Sequence, residues 1–247
     1  MTMNDEIQKK LNYLHLTGLR AHWDRYLEMA QKGNFSHTRL LTCIVEEEYK
    51  IKTENARNLR MKHAKIPEMF VMETYPFQKQ PRLNKKKVTA LYDSFDYMNK
   101  KQNIVWIGRT GTGKTGLATA FLVQAINRGY TGRFILFPDL IGELYRSIGD
   151  HSEEKVIKKF FAPDCLLIDE MGYVEIESAQ VGLLFTLMHK RHRQKTTIIT
   201  SNLGFKEWPS FLINEQLTAA LIDRLTENSH VINMKECETL RPHPEET

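Results

Sequence analysis

The sequence feature that most constrains the fold is an octapeptide, GRTGTGKT, at residues 108–115. It has the spacing G-x-x-x-x-G-K-[ST], which is typical of a phosphate-binding loop between a β-strand and an α-helix. Glycines let the backbone approach phosphates closely, and successive N–H groups together with the positive end of a helix bind the anion. We expect Lys114 to reach the β- and γ-phosphates of a nucleotide and the Thr115 hydroxyl to bind Mg²⁺.

The segments on either side of this octapeptide fit the same interpretation. Residues 104–107 form a short apolar run of β-branched and aromatic side chains, which predicts a buried strand. Residues 115–127 place apolar side chains at helical spacing, and Gly129 supplies a stop. The candidate nucleotide-binding residues are Gly108, Arg109, Thr110, Gly111, Thr112, Gly113, Lys114, Thr115 and Gly116.

The composition argues against a membrane protein. Hydrophobic residues make up 41% of the chain and charged residues 26%, as in globular proteins. No apolar run approaches the roughly 20 residues of a membrane-spanning helix, and the first ten residues lack the apolar core of a signal peptide. Cys43, Cys165 and Cys237 are isolated in the sequence, which suits free thiols in a reducing cytoplasm. We expect a cytoplasmic protein without a membrane partner.

Positive charge is concentrated in one stretch of the chain. Residues 50–87 contain eleven Lys and Arg against three Asp and Glu, whereas residues 101–247 contain 17 against 18. A basic region joined to a near-neutral nucleotide-binding region favours an anionic polymer as a partner, although lysine-rich helices are also common on solvated surfaces. The DNA-contact candidates in this stretch are Arg57, Arg60, Lys62 and Lys65.

The first part of the chain carries helix signals and no strand signals. Ser36 fits the N-cap of a long helix that runs toward His63 and ends before Pro67. This helix is apolar at its start and basic at its end. It therefore fits either a DNA backbone or a protein partner.

Residues 68–87 have the composition of a linker. Their aromatic side chains Tyr75 and Phe77 either stack on bases or anchor the linker to the nucleotide-binding region. We place the domain boundary near residue 75. The predicted domains are a helical N-terminal domain at 1–75 and a nucleotide-binding domain at 76–247.

From residue 88 onward, strand and helix signals alternate, which predicts an α/β domain with a parallel sheet. The predicted strands cover residues 104–107, 133–137, 165–169, 196–201 and 230–234. The predicted helices cover residues 115–128, 139–148, 152–161, 178–193 and 215–226.

Two carboxylates end the third predicted strand. Asp169 follows an apolar run, the position from which an aspartate holds Mg²⁺ beside the β- and γ-phosphates in P-loop enzymes. Glu170 follows directly, and a glutamate beside the metal-binding aspartate can orient and deprotonate a water molecule. The pair therefore favours hydrolysis over transfer to a metabolite hydroxyl. The alternative is a solvated Asp-Glu turn without a role, which is less expected after a phosphate-binding loop.

Two later residues are further catalytic candidates. Asn202 ends the strand that begins at residue 196. If that strand lies between the strand before the phosphate-binding loop and the strand that ends at Asp169, Asn202 faces the γ-phosphate. Otherwise Asn202 is an ordinary turn residue. Arg224 lies late on the last predicted helix. It either pairs with Asp223 or acts as an arginine finger on the ATP of a neighbouring subunit, a role worth about 10³–10⁵ in rate.

Together these motifs resemble those of the AAA+ ATPases of the IstB/DnaC-like family. The resemblance is carried by GRTGTGKT, CLLIDEMGY, TTIITSN, FKEW at residues 205–208 and LIDRL. The N-terminal segments LTGLRAHW and ENARNLRMKHAKIPEM resemble the IstB branch, whose members are ATP-using helpers of bacterial insertion sequences. The resemblance spans nearly the whole chain.

The resemblance implies an α/β fold: an AAA+ P-loop core with a parallel five-stranded sheet in the order 5-1-4-3-2, helices on both faces and a small all-α N-terminal domain. It implies a DNA-stimulated ATPase with ATP and Mg²⁺ at the subunit interfaces of a homo-oligomer. Such a protein assembles on double-stranded DNA, mostly through backbone contacts, and recruits or activates a transposase for insertion-sequence transposition.

By motif, the resemblance assigns Lys114 and Thr115 to Walker A, Asp169 and Glu170 to Walker B, Asn202 to the first sensor and Arg224 to the finger. The region that lines the DNA channel in this clade corresponds to residues 139–161 here. Its candidate contacts are Lys155, Lys158 and Lys159, for which a solvated face is the alternative. The family often closes with Ser-Tyr-Arg, whereas residues 238–241 read Glu-Thr-Leu-Arg.

Two alternative functions remain open from the sequence. A replicative helicase loader of the DnaC type has the same core and a helicase as its partner. A small-molecule P-loop kinase shares the phosphate-binding loop, but the Asp169-Glu170 pair and the absence of an evident lid segment argue against it. Phosphate release stimulated by DNA, without an added acceptor, distinguishes an ATPase from a kinase.

Overall fold

A computed structural model describes residues 3–32, 36–172, 174 and 176–241 of the 247-residue chain. The chain divides into two compact units, residues 1–59 and 60–247. Residues 60–75, which the sequence analysis grouped with the helical N-terminal domain, therefore pack with the larger unit. The assignment of domains at 1–75 and 76–247 stays a prediction.

The smaller unit contains helices and no strand among its described residues. Its helices are α1 (Asp5–Tyr13), α2 (Thr17–Ala21), α3 (Trp23–Lys32) and the first part of α4 (His37–Ala64). The buried carboxylate of Glu48 accepts a hydrogen bond from the Leu19 N–H at 3.0 Å. The Glu48 carboxylate, which α4 contributes, lies at the first turn of α2 and also complements the positive end of that helix. The long helix that the sequence predicts from Ser36 toward His63 is confirmed as α4.

The larger unit begins with the end of α4 and an irregular segment. This segment includes the 3₁₀ turns Met72–Thr74 and Phe77–Lys79 and leads into α5 (Lys85–Ser94) and α6 (Asp96–Asn99). The predicted linker at 68–87 therefore ends earlier than expected. The side chain of Asn84 accepts from the Lys87 N–H at 3.0 Å and caps a helix that begins at Lys85.

Strands and helices then alternate as predicted. The strands are β1 (Asn103–Gly108), β2 (Gly132–Leu136), β3 (Cys165–Met171), β4 (Thr196–Ser201) and β5 (Ser229–Met234). The helices are α7 (Lys114–Asn127), α8 (Phe137–Gly149), α9 (Glu153–Phe161), α10 (Ser178–Arg191), α11 (Pro209–Leu212) and α12 (Glu215–Thr226). Every strand and every helix predicted after residue 88 is confirmed to within a few residues.

The five strands form one parallel sheet in the order β2-β3-β4-β1-β5. This is the predicted order 5-1-4-3-2, and it confirms the AAA+ fold class. Alternate residues of β1 face opposite sides, with Ile104 and Trp106 in one apolar core and Val105 and Ile107 in the other. In the described part of the chain, none of the helices has the length and apolar character that crossing a bilayer requires.

One buried charge joins several elements of the larger unit. The Arg191 side chain is 1% exposed at the end of α10. Its guanidinium donates to the carbonyl oxygens of Phe160, Phe161, Pro163 and Thr196 and to the hydroxyl of Thr197. Burial lowers the pKa of Arg191 to about 10. The guanidinium thus satisfies carbonyls at the end of α9 and ties them to β4.

We expect Arg191→Met to lower the free energy of unfolding by at least about 3 kcal/mol. Several carbonyls lose their donor in this variant, and each one left buried without a partner costs about 1–3 kcal/mol. Chemical denaturation measures the change, with the exposed neighbour Lys190→Met as a matched control. A loss no larger than that of the control would show that the guanidinium contacts do not stabilise the sheet.

Candidate nucleotide-binding site

The octapeptide forms the turn between β1 and α7. Gly111 and Gly113 adopt positive φ angles of 82° and 88°, a region that glycine enters without steric cost. Gly113 is the N-cap of α7, so the first N–H groups of that helix have no partner within it. Unpaired N–H groups and the positive helix end make this turn a site for an anion.

Lys114 begins α7 and is 7% exposed. Its ammonium donates to the Arg109 carbonyl oxygen and to Asn202 Oδ1, both at 2.8 Å. Burial lowers the pKa of Lys114 to about 8, although the negative charges of Asp169 and Glu170 oppose the shift. The ammonium is therefore a poorly hydrated cation that gains from an anionic ligand.

Asp169 lines the same cavity as Lys114 and is 3% exposed. The Thr115 hydroxyl contacts both of its carboxylate oxygens, at 3.0 and 3.1 Å. The Thr200 hydroxyl donates to Asp169 Oδ1 at 2.5 Å. Thr200 is not among the site residues predicted from the sequence, because a threonine in a β-branched strand carries no signal of its own.

Glu170 lies on an irregularity of β3. Ile168 pairs with Ile199 and Met171 with Ser201, so two residues of β3 oppose Thr200 alone. This bulge gives Glu170 a φ of +61°, uncommon for a residue with a side chain. The Glu170 N–H donates to the Thr200 hydroxyl oxygen at 3.0 Å. The bulge turns the exposed Glu170 into the cavity that Lys114 and Asp169 also line.

Asn202 directly follows β4, and β4 lies between β1 and β3. This is the strand order on which the prediction for Asn202 depends. Its amide oxygen accepts from Lys114, and its amide nitrogen donates to Thr110 Oγ1 at 3.2 Å. Asn202 thus bridges the phosphate-binding loop and the edge of the sheet. The structure brings it together with Lys114, Thr115, Asp169 and Glu170.

These residues line a cavity of about 590 Å³, a volume within the usual range of small-molecule sites. The octapeptide region lines it with Thr110, Gly111, Gly113, Lys114, Thr115 and Gly116. Gly108 ends β1, and Arg109 and Thr112 lie in the turn; none of the three lines the cavity.

An apolar end of the cavity is formed by side chains of the segment before α5. Phe70, Val71 and Tyr75 line this end, and the Tyr75 hydroxyl donates to the Thr112 carbonyl oxygen at 2.8 Å. Tyr75 also contacts Phe77 edge to face. Of the two alternatives for these aromatic residues, the structure supports anchoring of the linker. Leu240 and Arg241 line the cavity from the end of the described chain.

Arg224 does not line this cavity. Its Nε donates to His189 Nδ1 at 3.0 Å and its Nη1 to the Ala220 carbonyl oxygen at 3.1 Å. Its guanidinium carbon lies 4.7 Å from the centre of the Phe185 ring. The arginine therefore contacts α10 and the backbone of its own helix rather than Asp223, and it lies outside the cavity of its own chain.

The DNA-contact candidates lie on two helices. Arg57, Arg60 and Lys62 belong to α4 and Lys65 follows it, whereas Lys155, Lys158 and Lys159 lie on the exposed face of α9. The inner face of α9 buries Ile157 and Phe160. Lys159 forms an ion pair with Glu143 at 2.5 Å, so part of its charge is already neutralised.

The sequence matches the profile of a family described as IstB-like ATP binding protein over residues 9–244. An ATP-binding protein of insertion sequence IS5376 from Geobacillus stearothermophilus is 31% identical, over 94% of this chain and 92% of the relative. An ATP-binding protein of insertion sequence IS21 from Pseudomonas aeruginosa is 27% identical, over 93% of this chain and 86% of the relative.

Solved structures show the same fold at lower identity. The DnaC helicase loader is similar with a TM-score of 0.52 and 22% identity, over 61% of this chain and 87% of the loader chain. AMPPCP-bound DnaA from Aquifex aeolicus is similar with a TM-score of 0.54 and 18% identity, over 68% of this chain and 51% of the DnaA chain. These similarities concern the fold alone, and they agree with the sheet order described above.

Nucleotide affinity should fall as the pH rises above about 8, because Lys114 must be charged to bind phosphate and its pKa is lowered to about 8. The decline should approach tenfold per pH unit, until the pH reaches the higher pKa of Lys114 in the complex. Equilibrium titration with a fluorescent ATP analogue from pH 7 to 9.5 measures it. The control, Lys114→Met, should bind weakly and without this dependence. A wild-type affinity that stays constant over the range would contradict the role of Lys114.

Proposed function

Because the chain belongs to the family of IstB-like ATP-binding proteins, we propose that it is a DNA-stimulated ATPase of insertion-sequence transposition. It assembles on target DNA with ATP, recruits or activates a transposase and is reset by hydrolysis. The observation that carries the proposal is the placement of Asp169 and Glu170 beside the loop cation Lys114 in one cavity. The Asp169 carboxylate is placed to bind a metal ion, and the Glu170 carboxylate is placed to bind a water molecule.

Each group of residues in the cavity has its own role in hydrolysis. The N–H groups of the loop and the Lys114 ammonium bind the phosphates. Glu170, on its bulge, orients the attacking water and accepts its proton. Asn202, whose Oδ1 accepts a hydrogen bond of 2.8 Å from the Lys114 ammonium, contacts the terminal phosphate and the water. Preorganised groups of this kind stabilise charge that develops in the transition state.

The donor set beside the loop fits Mg²⁺. The Thr115 hydroxyl and the buried Asp169 carboxylate lie 3.0 Å apart, and hard oxygen ligands are what Mg²⁺ prefers. Thr200 and the bulge fix the carboxylate from the other side. Thr115 and Asp169 would hold the ion. When bound, Mg²⁺ neutralises charge on the β- and γ-phosphates.

The transposition role is favoured over helicase loading by the extent of the similarity. The two insertion-sequence relatives align over 94% and 93% of this chain, including its N-terminal part. The similarity to the DnaC helicase loader, at 22% identity, concerns the fold alone. Copurification with a transposase, and not with a replicative helicase, tests this choice.

Double-stranded DNA is the polymer partner that the charge distribution supports. The candidate contacts are the basic residues Arg57, Arg60, Lys62, Lys65, Lys155, Lys158 and Lys159. Contacts of lysine and arginine with phosphates carry no sequence information, so binding through them should depend steeply on salt and weakly on sequence. The cytoplasm is the expected location of such a protein.

We expect Glu170→Gln to bind ATP with nearly unchanged affinity but to hydrolyse it at least about 100-fold more slowly, since it loses the general base. Long-lived assemblies on DNA should result. Phosphate release with and without duplex DNA, together with DNA retention, measures both effects. Glu154→Gln, an exposed glutamate on α9, is the matched control. Normal turnover in Glu170→Gln would assign the base to another residue.

Arg224→Ala should abolish hydrolysis in a uniform assembly, because its guanidinium acts on the ATP of a neighbouring subunit, where such a group is worth about 10³–10⁵ in rate. Mixing this variant with Lys114→Ala should restore part of the activity, since each assembly then contains some interfaces with both groups intact. The exposed neighbour Arg193→Ala should hydrolyse ATP normally. Failure of the two variants to complement each other would make Arg224 a structural residue.

A further inference from the structure

The end of the described chain lies against the phosphate-binding loop. Residues 238–241, here named the C-terminal strap, are held by a hydrogen bond of 2.8 Å from the Leu240 N–H to the Gly111 carbonyl oxygen. A Cβ atom on Gly111 would overlap the Thr239 hydroxyl. The contact therefore requires a residue without a side chain at position 111, and it sets the strap directly on the loop.

A buried glutamine fixes the start of the strap. Gln80 is 1% exposed. Its Nε2 donates to the Glu238 carbonyl oxygen at 2.6 Å, and its Oε1 accepts from the Glu238 N–H at 3.0 Å. Because the two partners are a backbone acceptor and a backbone donor, they determine the orientation of the amide. Only a side chain with a donor and an acceptor at the same end can hold a backbone segment in this way.

The strap brings a cation to the cavity. Arg241 lines the same cavity as Lys114, Asp169 and Glu170. Within residues 3–32, 36–172, 174 and 176–241, its guanidinium has no hydrogen-bond or ion-pair partner. Arg241 and Lys114 both carry a positive charge at this cavity, so the two cations repel each other. A polyphosphate would satisfy both, since guanidinium groups bind phosphate oxygens with strong charge-assisted hydrogen bonds.

We propose that Gln80 is a positioning residue for nucleotide binding: by holding the backbone of Glu238, it keeps the C-terminal strap on Gly111 and the Arg241 guanidinium at the phosphates. The inference rests on the proposed function in that it takes the cavity to be a nucleotide site. Gln80 itself does not touch the nucleotide. Its effect on affinity passes through Arg241.

A double-mutant cycle tests this coupling. The dissociation constant of a slowly hydrolysed ATP analogue is measured for the wild type, Gln80→Leu, Arg241→Ala and the double variant. Each single substitution should weaken binding about tenfold or more, the effect of losing a hydrogen bond to a charged group. The double variant should bind no more weakly than Arg241→Ala alone. Gln78→Leu, exposed and two residues away, should bind like the wild type.

A second variant covers the case in which Gln80→Leu does not fold. Leu240→Pro removes the N–H that bonds to Gly111 and leaves the buried site of Gln80 intact, so it should weaken binding as Gln80→Leu does. Gln80→Glu replaces the donor by a second acceptor that faces the Glu238 carbonyl oxygen, so it should weaken binding at least as much as Gln80→Leu.

The outcomes separate this inference from the proposed function. A wild type that binds the analogue, with Gln80→Leu or Leu240→Pro at the same affinity, would overturn the positioning role and leave the ATPase proposal standing. Losses that add in the double variant would show that Gln80 does not act through Arg241. A wild type without affinity for the analogue would overturn both.

Discussion

The ammonium of Lys114 lies where a positive charge is costly, and the arrangement around it follows from that cost. Removal from water disfavours the charged form, which is why the pKa of Lys114 is lowered to about 8. The surroundings compensate with the Arg109 carbonyl, the Asn202 amide and the nearby carboxylates. These groups come from the carboxyl ends of three adjacent parallel strands, the edge at which open α/β sheets bind ligands. The sheet order is therefore part of the site, since β4 must lie between β1 and β3 for Asn202 to reach Lys114.

Much of this arrangement is visible in the sequence because its causes are local. Strands buried on both faces appear as continuous apolar runs, and helices between them appear as 3.6-residue periodicity. Asn202 directly follows β4, Asp169 lies near the end of β3, and Lys114 follows β1 across the phosphate-binding loop. A parallel sheet places these strand ends at one edge and so brings the three residues together. The order of the strands in the sheet cannot be read from such local patterns. No periodicity specifies it, and it was predicted only through the resemblance of the motifs to a known family.

Other features depend on contacts between distant parts of the chain, and local sequence patterns do not predict them. Thr200 matters because β3 carries a bulge opposite it, and no residue type marks that bulge. Gln80 and Glu238 are 158 residues apart, yet they share two hydrogen bonds. The helix at Lys85 was overlooked because three lysines resemble a solvated linker, whereas the cap supplied by Asn84 determines where it starts. In each case a tertiary or capping interaction, rather than local propensity, decides the structure.

Hydrogen bonds to two carbonyl groups of the loop explain how its N–H groups are oriented for phosphate. A peptide group is planar and trans, so its carbonyl and the N–H of the next residue point in opposite directions. The Leu240 N–H bonds to the Gly111 carbonyl, which turns the Thr112 N–H the other way. The Tyr75 hydroxyl bonds to the Thr112 carbonyl and so directs the N–H of Gly113. Two segments distant in sequence thus orient consecutive N–H groups of the loop. Because glycines at 111 and 113 give the loop freedom to adopt other conformations, these contacts to its carbonyls reduce the entropy cost of phosphate binding.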